Sequence, residues 1–141
     1  MAGNAAPLEV TEIEVFYGMQ RVLDRISLSV KGGEFIALLG SSGCGKTTLL
    51  RAICGFVPVR RGRIAVAGRD ITDEPPDKRD MAMVFQSYAL WPHMSVAQNI
   101  GYGLRLRGVA RAVIAERVVA IPKMLRLDGL AERRVTELSG G

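Results

Sequence analysis

The sequence predicts an α/β fold, in which a mixed β-sheet surrounds one glycine-headed helix and a helical subdomain follows. Three observations carry this. Short apolar runs with strand periods dominate the first 86 residues; one of them, Phe35 to Leu39, runs into a glycine-rich loop that opens an apolar helical stretch; and near position 90 the hydrophobic period lengthens to that of a helix. The expected division is a core over residues 1–94 and a helical subdomain over residues 95–141.

Taken in order, Leu8 to Phe16 reads as a half-buried strand, because Ile13 and Val15 alternate with Glu12 and Glu14. Ile26 to Lys31 alternates in the same way through Ile26, Leu28 and Val30. Gly32 and Gly33 then separate it from Phe35 to Leu39, a spacing that signals a hairpin. The five consecutive apolar residues of Phe35 to Leu39 would bury both faces, as a central strand of a covered sheet does. Leu49, Leu50 and Ile53 give a helix ending at Gly55, and Ile64 to Ala67 a short strand; a Pro75-Pro76 loop follows, then Met81 to Phe85 as a second two-faced strand. Ser95 with Gln98 makes a capping-box start for a helix carrying Val96, Ile100 and Leu104 on one face and stopping at Gly108. A second helix from Ala110 buries Val113, Ile114, Val118 and Ile121, and Pro122 is expected to kink or break it, leaving Lys123 to Leu127 as a separate segment.

Composition excludes several classes. Of 141 residues, 23% are charged and only two are Cys, which argues against a disordered tail or a disulfide-stapled secreted scaffold and for a reduced, cytosolic setting. Met81 to Leu104 has no formal charge, yet Gln86, Pro92, His93, Gln98 and Asn99 argue against a spanning helix, and Met1 to Pro7 does not read as a secretory signal. The net charge of +5 is spread along the chain apart from Arg60, Arg61, Arg63 and Arg133, Arg134, so solvated faces explain it better than a nucleic-acid footprint.

The chemistry concentrates in Gly40-Ser41-Ser42-Gly43-Cys44-Gly45-Lys46-Thr47-Thr48, which fits G-x-x-x-x-G-K-[ST] between a predicted strand and a predicted helix, the context of a P-loop. Glycines let successive N–H groups face inward, and the helix N-terminus adds partial positive charge. Lys46 is expected to neutralise β- and γ-phosphate oxygens of a nucleotide and Thr47 to ligate Mg²⁺. Cys44 reads as incidental to that loop and Cys54 as core.

A P-loop alone does not choose among NTPase classes. Tyr17 upstream of it, Met83-Val84-Phe85-Gln86, the block Ser87 to Val96 containing Trp91, Pro92, His93 and Met94, and the terminal Leu138-Ser139-Gly140-Gly141 do. In order and spacing they resemble the nucleotide-binding subunits of ABC transporters, nearest to importers of the polyamine, ferric iron, phosphonate and sugar type. The resemblance implies that Tyr17 stacks on adenine. It implies that Gln86 is the Q-loop glutamine that reaches Mg²⁺ and the attacking water, and that Ser139, Gly140 and Gly141 open the signature motif that binds the γ-phosphate of ATP held by a second, head-to-tail ATP-binding subunit. Trp91 and His93 fall on the surface that couples to transmembrane permease subunits, although Trp91 read by itself could equally cover the core of the helical subdomain. The implied partners also include, indirectly, a solute-binding protein, and the implied location is peripheral, on the cytoplasmic side of the membrane.

The family's Walker B aspartate, general-base glutamate and switch histidine have no counterpart in these 141 residues, and Asp70, Asp73, Asp77 and Asp80 precede Gln86. The resemblance therefore implies a P-loop NTPase fold incomplete at its C-terminus, with unpaired strand edges, poor solubility, and ATP binding without efficient hydrolysis. Three readings follow: an import ATPase represented by its N-terminal part, a non-catalytic ATP-binding module, and an ABC-type ATPase acting on nucleic acid, which the Ser87 to Val96 block disfavours.

Overall fold

The computed structural model describes residues 5–87, 89–124 and 129–138. They fall into two compact units, Met1–Met83 and Val84–Gly141, each taken by itself below.

The first unit is built on β1 (Leu8–Tyr17), β2 (Gln20–Val30), β3 (Arg61–Val66) and β4 (Arg69–Asp70), in the order β2-β1-β3-β4, with α1 (Lys46–Ile53) against β1 and β2. Every pairing is antiparallel. Gly18, at φ 59°, turns the chain from β1 into β2 through a two-residue loop, and Tyr17 pairs with Gln20. Ile13, Val15, Ile64 and Ile71 are buried almost completely and form the core with Val10, Leu23, Leu49, Ala52, Ile53 and Val57.

Strict alternation would not bury both Val10 and Ile13, which are three apart. A β-bulge resolves this: Val10 pairs with Leu28 and Ile13 with Ile26, while Glu12 (φ 45°) and Arg25 (φ 47°) take the left-handed region beside these pairs. The Ser27 hydroxyl accepts the Glu12 N–H at 2.9 Å. Gly62 of β3 runs beside the bulge, where a Cβ would lie 2.5 Å from the Thr11 and Glu12 carbonyl oxygens, so only glycine fits.

Three expectations need correction here. The second strand starts at Gln20 and not at Ile26, because the polar pair Asp24-Arg25 at the bulge breaks the alternation that reveals a strand. Phe35 to Leu39 and Met81 to Phe85 are not strands. Glu34 N–H closes a tight turn onto the Lys31 carbonyl at 3.1 Å, but the chain does not return along β2, and Phe35 and Leu39 are 92% and 91% exposed. A two-faced apolar strand exists only with ladder partners beside it and cover on both faces, and no described segment pairs with either run.

The second unit contains α2 (Val96–Leu106) and α3 (Arg111–Met124). The capping box is present: Gln98 N–H donates to Ser95 Oγ at 3.2 Å and Ser95 N–H to Gln98 Oε1 at 2.9 Å. Gly101 lets the helices approach, since a Cβ there would stand 3.0 Å from Ile114 and 3.3 Å from Val118. Val113, expected in the buried stripe, is instead 39% exposed. α3 also continues through position 122 to Met124, without the expected break. A proline so close to a helix end removes one backbone hydrogen bond while the preceding turns hold. The expected separate segment from Lys123 to Leu127 therefore begins inside α3, and its remainder lies outside the described residues.

Candidate functional site

The loop from Gly40 to Gly45 leads directly into α1. Gly43 (φ 82°) and Gly45 (φ 95°) hold left-handed conformations, and a Cβ on Gly45 would lie 2.8 Å from a Leu23 methyl, so backbone favours glycine at both and packing adds to it at Gly45. Lys46 curls back over this loop. Its Nζ donates to the Gly40 carbonyl at 2.8 Å, to the Ser41 carbonyl at 2.7 Å and to Cys44 Sγ at 3.4 Å, which places the ammonium at the loop and not out in solvent.

The two ends of α1 are treated differently. Its N-terminus has Gly45 as cap, no side-chain capping bond and no acidic residue in the first turn, so neither offsets the positive end of the helix. Its C-terminus is closed by Arg79, only 4% exposed, which donates to the Ala52 carbonyl at 2.9 Å and the Ile53 carbonyl at 2.7 Å. The same guanidinium donates to the Thr72 and Glu74 carbonyls, both at 2.7 Å. It packs against Gly55, where a Cβ would stand 2.6 Å from Arg79 Nε. Burial pulls the Arg79 pKa down and, nearby, pushes the half-buried Cys54 thiol up.

Val22, Ser42, Gly43, Gly45, Lys46, Thr47 and Thr48 line a pocket of about 240 Å³ at this loop. Thus six of the residues singled out in the sequence meet at one surface, and Gly40, Ser41 and Cys44 hold its lysine. Tyr17 is not in the lining; it ends β1 at the hairpin tip, 47% exposed. Gln86 lies exposed in a turn of the second unit. Ser139, Gly140 and Gly141 lie outside the described residues.

Sequence reasoning missed Val22 and Arg79. Val22 was hidden by the late start assigned to β2, and nothing in the Pro75-Pro76 loop marks Arg79 as a buried cap. A larger pocket of about 630 Å³ lies between α2 and α3, with Arg105, Arg111 and Glu132 in its lining. Size does not identify the site: the smaller pocket combines a cation, hydroxyls and an open helix N-terminus, the chemistry an anionic phosphate requires. The glycine cradle, Lys46 and the Thr47 hydroxyl fit a nucleotide phosphate with its Mg²⁺. Among the described residues no group of His, Cys, Asp or Glu is arranged to hold a metal by itself, and no helix is long and apolar enough to cross a membrane.

Known proteins agree with this geometry. One relative, the sn-glycerol-3-phosphate import ATP-binding protein UgpC of Burkholderia cenocepacia (strain HI2424), is 55% identical over 124 residues, which is 88% of this chain and 34% of that protein. The protein of the same name from Burkholderia mallei (strain ATCC 23344) is 52% identical over 137 residues, 96% of this chain and 38% of its own length. The chain thus spans about a third of the length of the curated relatives it matches. Among solved structures, MJ1267, an ATP-binding cassette of an ABC transporter, superposes with a TM-score of 0.83 at 27% identity over 96% of this chain and 60% of that one. A nucleotide-free ATP-binding cassette from an ABC transporter gives a TM-score of 0.79 at 28% identity, with the same coverage. These likenesses show the P-loop α/β fold class, of which the chain holds part. With the ABC transporter family model matching residues 23–141, the chain belongs to the ABC transporter family.

Proposed function

We propose that the chain is the N-terminal part of an ATP-binding subunit that couples ATP binding and hydrolysis to solute import by an ABC transporter. The observation that carries this reading is the open N-terminus of α1 beneath the lysine-bearing glycine loop. Gly40, Ser41, Ser42, Gly43, Cys44, Gly45 and Thr48 shape the phosphate seat, Lys46 supplies charge, Thr47 holds Mg²⁺, and Tyr17 takes the adenine. Gln86 senses metal and water. Ser139, Gly140 and Gly141 serve the γ-phosphate of a second ATP-binding subunit in a head-to-tail dimer. Residues 1–94 form the nucleotide core and residues 95–141 the helical subdomain, and Trp91 and His93 face transmembrane permease subunits on the cytoplasmic side of the membrane. A solute-binding protein acts indirectly, and nucleic acid is not a partner.

No carboxylate lines the pocket among the described residues, so these 141 residues bind Mg-ATP but turn it over poorly. The test is calorimetric binding of Mg-ATP and adenosine. Lys46→Ala is expected to weaken ATP at least about tenfold and spare adenosine, whereas Tyr17→Ala weakens both. Unchanged ATP affinity in Lys46→Ala overturns the reading. In the full-length protein assembled with its permease, transport assays begin with sn-glycerol 3-phosphate, the solute named for the relatives.

A further inference from the structure

Asn99 sits one turn into α2 and commits its carboxamide to the segment that precedes the helix. Oδ1 accepts the Trp91 N–H at 2.9 Å, and Nδ2 donates to the Trp91 carbonyl at 3.1 Å, the Ser95 carbonyl at 3.0 Å and, at the longest reach, the Met94 carbonyl at 3.4 Å. Both backbone polar groups of Trp91 are therefore held by one side chain, itself anchored in a helix whose start is capped by Ser95 and Gln98. Apart from these bonds, the Met94 N–H to Trp91 carbonyl turn at 3.1 Å braces the segment.

The indole is held but not covered. Its ring centroid lies 5.4 Å from that of Tyr102 on α2, with the Arg105 guanidinium 5.3 Å from the same tyrosine ring, and His93 meets the indole edge-on at 6.2 Å. Trp91 nevertheless stays 45% exposed and the adjoining Leu90 53% exposed. An aromatic needed only to cover the subdomain would not leave half its surface in water beside another exposed apolar residue. A rigidly supported, half-exposed indole is a preordered anchor, because little side-chain freedom is left to lose when a partner closes over it.

We infer that Asn99 is the positioning residue of this surface: its clamp fixes Trp91 in the orientation a partner meets. The inference rests on the membrane-partner reading above. Trp91 is the only tryptophan among these 141 residues, and in the full-length protein its emission is isolated as the difference from a Trp91→Phe control made in each background. In the full-length protein, Asn99→Ala is expected to shift Trp91 emission to the red and to raise acrylamide quenching about twofold as the segment loosens. Asn99→Asp keeps the acceptor for Trp91 N–H and should fall between. Gln98→Ala opens the capping box without touching the clamp, and should leave the emission where it is even though it loosens α2. Emission unchanged in Asn99→Ala, or shifted equally in Gln98→Ala, overturns the inference.

The second readout is assembly with the permease, measured for Trp91→Ala, Asn99→Ala and the double variant. Non-additive losses support action through Trp91, and additive losses overturn it. If Trp91→Ala assembles normally while the spectra shift as expected, the docking reading falls and the inference that a partner meets Trp91 falls with it, leaving only a structural clamp.

Discussion

α1 and α2 begin in opposite ways. At α2, Ser95 and Gln98 exchange hydrogen bonds with each other's backbone, Asn99 ties the incoming segment to the helix, and the Val96 and Ala97 N–H groups donate to the Arg133 and Ala131 carbonyls at 2.9 and 2.8 Å, so its N-terminus is satisfied inside the chain. At α1, a left-handed glycine stands where a capping side chain could be, no acid follows, and a lysine folds over the loop. The local cost is small, only about a few tenths of a kcal/mol for glycine against a capping side chain. α1 is instead held at its other end, by buried Arg79, and along its side, by Leu49, Ala52 and Ile53 in the core. Under the proposed function, α1 is thus secured everywhere except at the end offered to phosphate.

The largest expected effect lies at that secured end. Arg79→Met removes donations to four carbonyl oxygens, two of them closing α1, and should cost about 3 kcal/mol of stability in chemical denaturation. Arg79→Lys keeps the charge but cannot span four acceptors, and should recover only part of it. A loss below about 1 kcal/mol in Arg79→Met would mean that α1 is not anchored at its C-terminus.

How much of this was legible depended on whether a feature is local. The Ser95 capping box is complete within four residues and lies where the pattern placed it; the glycine loop leads into α1 as expected, but the strand expected before it does not form. Features that need a distant partner were not visible. Arg79 finds Ala52 and Ile53 across 27 and 26 positions, and the Gly62 requirement comes from Thr11 and Glu12. The bulge disguised the start of β2, which concealed Val22. Phe35 to Leu39 has the composition of a buried strand, but composition cannot supply the ladder beside it, and Phe35 is exposed here. Positions 139–141 carry the resemblance and lie outside the described residues.

The next effect tests the self-capped helix. Ser95→Ala should cost about 1 kcal/mol and leave Mg-ATP affinity unchanged, because the cap serves only the helix it begins. A loss of nucleotide affinity without loss of stability would mean that this N-terminus has a ligand role of its own.

The smallest effect on stability should have the opposite sign, and it examines the contrast most closely. Thr47 is the second residue of α1 and is exposed, so a carboxylate there needs no burial and faces the uncompensated end of the helix dipole beside Lys46. Thr and Asp differ little in helix propensity, which leaves the dipole term in control. Thr47→Asp should therefore stabilise the nucleotide-free chain by ~0.5 kcal/mol in thermal or urea unfolding at low salt, with the gain shrinking as salt screens it. The same carboxylate occupies the field meant for phosphate and removes the hydroxyl assigned to Mg²⁺, so Mg-ATP affinity should fall more than about tenfold. Stability up and affinity down is the signature of an N-terminus kept open for an anion. If both fall together, the substitution has merely damaged the loop and the dipole account of α1 is wrong; if affinity survives, the phosphate does not sit at this end of the helix.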